Sequence, residues 1–318
     1  MSRDPAGAGA RPEPGPFSHW LRKRLRLLYG LALLGIASPW LSRALEPRPT
    51  LAWLTDLATH WQFAYVTLAM LAAAVAWRGL ARLAAVVALA PGLWGLWWLM
   101  PPLAPGADAP AAQTLRLVTA NVHVGTDEPD ALLVWARTQQ ADVVMLQEIN
   151  PAFAKALEAR AGDYPFRHLA PRDDPFGIGL LSRHPLRDAR LEPGPGGLPT
   201  LRATVEMPGG PVPVVVVHPF PPLSAETHRE RANTVQQLES RASAEASLVV
   251  GGDFNASPWS SAFAGVEHLH LASRGLPTWH GVLPIDHVLV GKAWSQARAT
   301  RAPAMASDHR GLFVELAR

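Results

Sequence analysis

The chain has 318 residues, no cysteine and a formal net charge of +3, with 29 Lys and Arg against 26 Asp and Glu. The lack of cysteine excludes a disulfide scaffold, a thiolate metal site and a cysteine nucleophile. Its basic balance would suit an anionic partner, but the average hides two materials joined near Pro105. Residues 1–104 hold ten basic and four acidic side chains, net +6, and eight of the twelve tryptophans; the remainder is net −3.

Residues 1–20, rich in Gly, Ala, Pro and Arg, are expected to be disordered. Three apolar stretches follow, at about 25–45, 57–77 and 83–103. The second and third reach the roughly 20 residues a helix needs to cross a bilayer, and the first, free of charge only over Leu27–Leu41, is marginal but flanked by basic residues, so residues 21–105 are expected to form three transmembrane helices. Trp20, Trp40, Trp61, Trp77, Trp97 and Trp98 stand near their ends, as in a headgroup belt. Arg22, Lys23, Arg24, Arg26, Arg78 and Arg82 fall on one side of this arrangement, and Arg43 and Arg48 on the other. The basic excess predicts a cytoplasmic N-terminus and, after three crossings of a bacterial inner membrane, an extracytoplasmic C-terminal domain. Residues 106–113 continue a proline- and alanine-rich tether that begins at Pro101.

From residue 114 the pattern changes to short apolar runs with turn signals between them. Strands are predicted at Leu115–Asn121, Asp142–Gln147, Gly179–Ser182, Thr200–Met207, Val212–His218, Leu248–Gly251, Ile285–Val290 and Gly311–Leu316. Helices are predicted at Asp130–Gln139, Pro151–Arg160 and Ser224–Ala246. Mixed strands and helices over residues 114–318 indicate one layered α/β domain.

Polar residues recur where these strands end or begin: Asn121, Gln147-Glu148, His218, Asp253-Phe254-Asn255, Asp286-His287 and Ser307-Asp308-His309. Strand-end loops are where a rigid α/β scaffold gathers reactive groups. Taken singly each is weak, since Asn121 or Asp253 could merely form a turn. Together the blocks LRLVTANV, DVVMLQE, GIGLLSRHP, VVVVHP, VVGGDFNASPWSSAF, PTWH, IDHVLV and SDHRGLFVEL, in this order, resemble the endonuclease/exonuclease/phosphatase superfamily. The layout is most similar to its membrane-anchored bacterial members, whose histidine block is often followed by Pro-Pro, as in His218-Pro219-Phe220-Pro221-Pro222.

The resemblance implies a four-layer α/β sandwich, deoxyribonuclease-like, with the site at one edge of two packed sheets. It implies that Glu148 and Asn121 hold a divalent metal, with Asp308 as a further carboxylate, and hard oxygen donors of this kind suit Mg²⁺, with Mn²⁺ as a substitute. His309 matches the histidine that activates water or contacts the phosphate, and Asp286 the aspartate that orients it. Asp253 and Asn255 match the pair that positions the nucleophile or leaving oxygen, and His218 the residue that stabilises charge on the phosphoryl oxygens. The acid that several nuclease members carry two residues after the asparagine is here His123. Arg183 stands at a family basic position, open between phosphate contact and structure, while His287 and Trp279 are read as structural.

The implied chemistry is metal-assisted hydrolysis of a phosphate ester by in-line attack of water. A lipid headgroup is the favoured substrate, because the tether holds the site near the bilayer. Nucleic acid is less favoured, since the domain is net negative with only Lys155 and Lys292 as lysines. A catalytically inactive binding module is the remaining alternative, against which every expected position is filled.

Overall fold

The computed structural model describes residues 16–106 and 112–318. Residues 1–15 of the expected disordered terminus and 107–111 of the expected linker therefore lie outside the described residues. Five helices come first: α1 (Pro16–Ala44), α2 (Pro49–Thr59), α3 (Gln62–Ala76), α4 (Gly79–Val87) and α5 (Ala90–Leu99). Then follow β1 (Thr114–Asn121), α6 (Asp130–Thr138), β2 (Val143–Gln147), α7 (Pro151–Arg160), β3 (Phe166–Ala170), β4 (Ile178–Ser182), β5 (Leu186–Pro193), β6 (Pro199–Met207) and β7 (Gly210–Val217). The last are α8 (Ala225–Ala244), β8 (Val249–Asp253), β9 (Leu269–Leu271), β10 (Asp286–Gly291), β11 (Ser295–Arg301) and β12 (Leu312–Ala317). The chain divides into two units, one made of residues up to Ala37 with Gln62–Gly95, the other of Ser38–Trp61 with Leu96–Arg318.

The first unit is helical and packs through small residues. Ala69, Ala72, Ala73 and Ala76 are buried along α3, and a Cβ on Gly35 would sit 2.6 Å from the Tyr65 ring. Tyr29 Oη donates to the Ala85 carbonyl at 2.7 Å. Among the described residues, two helical stretches are long and apolar enough to cross a membrane, Phe17–Ala44 of α1 and Gly79–Leu99, which joins α4 and α5. The expected span at 57–77 does not form as one helix. Leu57, Ala58 and Thr59 end α2, the chain turns at His60 and Trp61, and α3 has 15 residues. At 1.5 Å per residue that is about 22 Å, short of the roughly 30 Å hydrocarbon layer. Asp56, just before the break, belongs to the second unit and finds its polar partners there, in Arg231, Ser260 and Ser261.

In the second unit, two six-stranded sheets run in the orders β11-β12-β1-β2-β4-β3 and β5-β6-β7-β8-β10-β9. Period-2 alternation gives every central strand two apolar faces. Leu115, Leu117, Val143 and Met145 of one sheet meet Val214, Val216, Val249 and Val288 of the other in the core between them. Outward, Val118, Val144, Leu146 and Phe313 pack with Leu133 of α6 and Phe153 and Leu157 of α7. On the opposite outer face, Val215, Val217 and Val250 pack with Val235, Leu238 and Ala242 of α8. The result is the helix–sheet–sheet–helix layering implied by the resemblance.

The described part of the tether is not free. The Pro102 carbonyl accepts from Leu271 N, Ala104 N donates to the Leu271 carbonyl, and the Pro105 carbonyl accepts from Gln296 N at 2.7 Å. These residues extend β9 and β11, whose outer edges otherwise present unpaired backbone groups.

Candidate active site

Two parallel strand pairs aim their C-terminal ends at one edge of the sandwich. Asn121 of β1 is in register with Gln147 of β2, and Val217 of β7 with Gly252 of β8. Asp286 opens β10 directly opposite Asp253, the last residue of β8. Close packing behind this edge explains the Gly251-Gly252 pair. A Cβ on Gly252 would fall 2.0 Å from the Val217 carbonyl oxygen, and one on Gly251 would fall 2.5 Å from Met145 Sδ.

Asn121 Nδ2 donates to Glu148 Oε1 at 2.8 Å and to Asp253 Oδ2 at 3.0 Å, so one amide ties two carboxylates. Its Oδ1 accepts from His123 N at 3.0 Å, and Glu148 Oε2 accepts from Val124 N at 2.9 Å. Glu148 has φ of 63° and Asn255 φ of 50°. Left-handed backbone is costly for glutamate and persists where surrounding bonds hold it, a pattern common at functional sites.

Two histidines converge on the same Asp253 oxygen. His218 Nε2 and His309 Nε2 each lie 3.6 Å from Asp253 Oδ2. The opposite nitrogens are anchored: His218 Nδ1 lies 3.0 Å from the Pro175 carbonyl, and His309 Nδ1 lies 2.8 Å from Asp286 Oδ2. Burial by itself would push the His309 imidazole down, but Asp286 and then Asp253 override it and push it up to about 10. Asp286 thus favours the protonated form of His309, while burial raises the Asp286 carboxyl in turn.

Asp308 accepts from Trp279 Nε1 at 3.0 Å, so Trp279, read as structural from sequence, orients a carboxylate of the site. Asn255 N donates to Asp253 Oδ1 at 2.8 Å, and its Nδ2 donates to the Pro219 carbonyl at 3.1 Å. A cleft of about 700 Å³ opens over Glu148, His218, Asp253, Asn255, Asp308 and His309. Its other walls are largely apolar, including Phe176, Pro221, Pro222, Leu223, Leu283 and Ile285. Three carboxylates line it and no Lys or Arg does, among the described residues. Three carboxylates against His309 leave the cleft unfavourable to a phosphate unless a further cation sits in it. Glu148, His218 and Asp253 present ligand atoms within 4.8 Å of one another, as do Asp253, Asp286 and His309. Oxygen-rich donors fit a hard divalent ion.

The remaining sequence candidates lie elsewhere. His123 is exposed, and its Nδ1 accepts from Gly125 N at 3.2 Å. The Arg183 guanidinium lies 5.5 Å over the Tyr164 ring, a packing role. His287 is buried against Phe254 and Phe263, and burial pushes it down to about 4. Sequence reasoning missed Leu57, His60 and Trp61, which line the cleft from a stretch read as membrane span. A signal was present: Asp56 and His60 are poor company for a bilayer.

Residues 118–309 match the sequence model of the Endonuclease/Exonuclease/phosphatase family. No curated protein matches the chain. Among solved structures, an endonuclease/exonuclease/phosphatase from Beutenbergia cavernae is 22% identical with a TM-score of 0.54, over 64% of this chain and 72% of its own. TDP2 from D. rerio, complexed with a single-strand DNA product, is 17% identical with a TM-score of 0.56, over 65% of this chain and 100% of its own. An endonuclease/exonuclease/phosphatase from Bacteroides vulgatus is 17% identical with a TM-score of 0.52, over 64% of this chain and 98% of its own. At these identities the likeness is one of fold.

Proposed function

This chain belongs to the endonuclease/exonuclease/phosphatase family, and from that premise we propose that it is a membrane-anchored, divalent-metal-dependent hydrolase of phosphate esters. The observation that carries the reading is the cleft where Glu148, Asp253 and Asp308 meet His218 and His309 with no Lys or Arg beside them. Glu148, Asn121 and Asp308 would hold Mg²⁺ or Mn²⁺, which polarises the phosphoryl oxygens and offsets their charge when bound. Turning the Asn121 amide over would aim its oxygen at both carboxylates, which is favourable only with a cation between them.

The protein groups divide the remaining work. Water attacks phosphorus in line; a new P–O bond forms, the ester P–O bond breaks, the water proton passes to the Asp253 carboxylate, and the leaving oxygen takes a proton from solvent and departs as the alcohol. His309, held protonated by Asp286, donates from Nε2 to a phosphoryl oxygen, and His218, its Nδ1–H spent on the Pro175 carbonyl, turns Nε2 toward the same side of the cleft. Asn255 keeps Asp253 in place through its backbone N–H. Fixed donors aimed at developing charge are the main source of rate in phosphoryl transfer.

The apolar walls support an ester with an apolar body, and a lipid headgroup phosphate is the substrate class we favour. A nuclease acting on DNA or RNA is the second reading; the absence of Lys and Arg from the cleft weighs against it. Anchoring rests on Phe17–Ala44 and Gly79–Leu99, and the path the basic residues favour has the 15-residue α3 cross as well despite its length. That path keeps the catalytic unit extracytoplasmic on the bacterial inner membrane. Full-length protein in detergent should hydrolyse bis-p-nitrophenyl phosphate with Mg²⁺ or Mn²⁺. A panel of phospholipids, sphingomyelin and single- and double-stranded DNA then separates the two readings. Absence of turnover with every metal would leave the inactive binding module standing.

A further inference from the structure

We propose that the segment Pro49–Trp61, which joins two apolar helices, is a working part of the site, with Asp56 and Arg231 as positioning residues for the Asp253–Asn255 loop. Helix α2 buries Ala52, Asp56 and Thr59 on one face, a stripe with an acid at its centre. Arg231 lies on the buried face of α8, in step with His228, Val235, Leu238 and Ala242. Both side chains are fully buried, and Arg231 Nη2 donates to Asp56 Oδ2 at 2.6 Å. The rest of the Asp56 carboxylate accepts from Ser260 Oγ at 2.9 Å, Ser261 N at 2.7 Å and Ser261 Oγ at 2.9 Å.

The other arm of the guanidinium reaches the site. Arg231 Nη1 donates to the carbonyl oxygen of Asn255, and His60 Nε2 lies 3.4 Å from the same oxygen. Asn255 is the residue whose N–H holds Asp253. Two further ties bracket the cleft: Ser257 Oγ donates to the Thr59 carbonyl at 3.3 Å, and Trp53 Nε1 donates to the Pro222 carbonyl at 2.7 Å. One short helix thus grips the loop after β8 and the loop after His218. Apolar side chains would fill the buried volume at less cost than two ions. What the ions supply is direction, because a planar fork fixes a carboxylate and a carbonyl in one geometry.

The test uses full-length protein in detergent, with kcat and KM on bis-p-nitrophenyl phosphate and hydrogen exchange over residues 253–261. Asp56→Asn strands the Arg231 charge and should lower Tm. The double variant D56N/R231M removes both charges, keeps the acceptor for Ser261 N and should recover most of the Tm. Its kcat should stay about 10- to 100-fold low with KM little changed, and exchange over 253–261 should rise about tenfold. Trp53→Phe keeps the ring, cuts only the tie to Pro222, and should lower kcat severalfold and speed exchange over 219–223. A stable D56N/R231M protein with wild-type kcat and exchange, or a Trp53→Phe protein unchanged in both, overturns the proposal. If the wild type turns over nothing, the hydrolase reading fails, while the exchange measurements still decide the positioning role.

Discussion

His309 Nδ1 lies 2.8 Å from Asp286 Oδ2, with both side chains almost wholly buried. Because the two residues come from different strand ends, the sandwich must be assembled before the pair exists. Asp286→Asn keeps the shape but removes the counter-charge that holds His309 protonated with Nε2 facing Asp253. We expect kcat/KM to fall about 10²–10⁴-fold with the fold intact by circular dichroism. A loss under about threefold would remove His309 from the reaction.

Glu148 combines a positive φ with two bonds, to Asn121 and to the Val124 amide. Glu148→Gln retains the size but replaces one carboxylate oxygen with a donor that faces other N–H groups. Stability should drop by about 1 kcal/mol, whereas Mn²⁺ affinity by titration calorimetry should drop about 10–100-fold. Equal Mn²⁺ binding by both proteins would place the metal elsewhere.

Gly252→Ala tests the packing that lets β7 and β8 run side by side. Its added methyl would meet the Val217 carbonyl oxygen at 2.0 Å, and backbone cannot swing aside as a side chain can. A cost at or above the upper end of the 1–3 kcal/mol typical of overpacking is expected in urea unfolding. A cost near zero would mean that the two strands separate easily.

Much of this was legible before any coordinates, for identifiable reasons. The central strands are continuous apolar runs that end in a polar residue, so β1, β2, β7 and β8 stand out together with Asn121, Glu148, His218 and Asp253. Edge strands lack that contrast. β3 is half exposed along its length and β5 exposes Arg187-Asp188 and Arg190-Leu191 as adjacent pairs, and neither was predicted. The larger miss was α2. Leu57–Trp77 is free of charge, and composition alone cannot tell a bilayer from a protein surface when the decisive residue, Asp56, sits one position outside the stretch. Its partner was visible in principle, because Arg231 occupies a position of the α8 stripe otherwise held by Val235, Leu238 and Ala242. Trp279 was misread because its indole bond to Asp308 links residues far apart in the chain.

The revised helix pattern makes membrane topology a sharp measurement. Six basic residues on one side against two on the other predict that a phosphatase-type reporter fused after Pro105 is active only outside the cytoplasm. With α3 at 15 residues, that outcome requires it to cross despite its length. An inactive reporter at this point, with an active one after Arg48, would mean that only the two long helices cross.

Acid stability reports on Asp56. Burial opposes its charge, but His228, Arg231, His60 and the Ser261 N–H outweigh it and hold the carboxyl well below the usual carboxylate range. A depressed folded value contributes stability that is fully present above the unfolded value, about 4, and is lost as pH falls through the folded one. At neutral pH, Asp56→Asn should cost about 3–5 kcal/mol, the usual penalty for stranding one member of a buried pair. The Tm gap between wild type and Asp56→Asn should therefore stay constant from pH 8 down to about 4 and close only in stronger acid. A gap that already closes between pH 6 and 5 would show that this carboxylate titrates as an ordinary or raised group, and that the pair does not hold α2 in place.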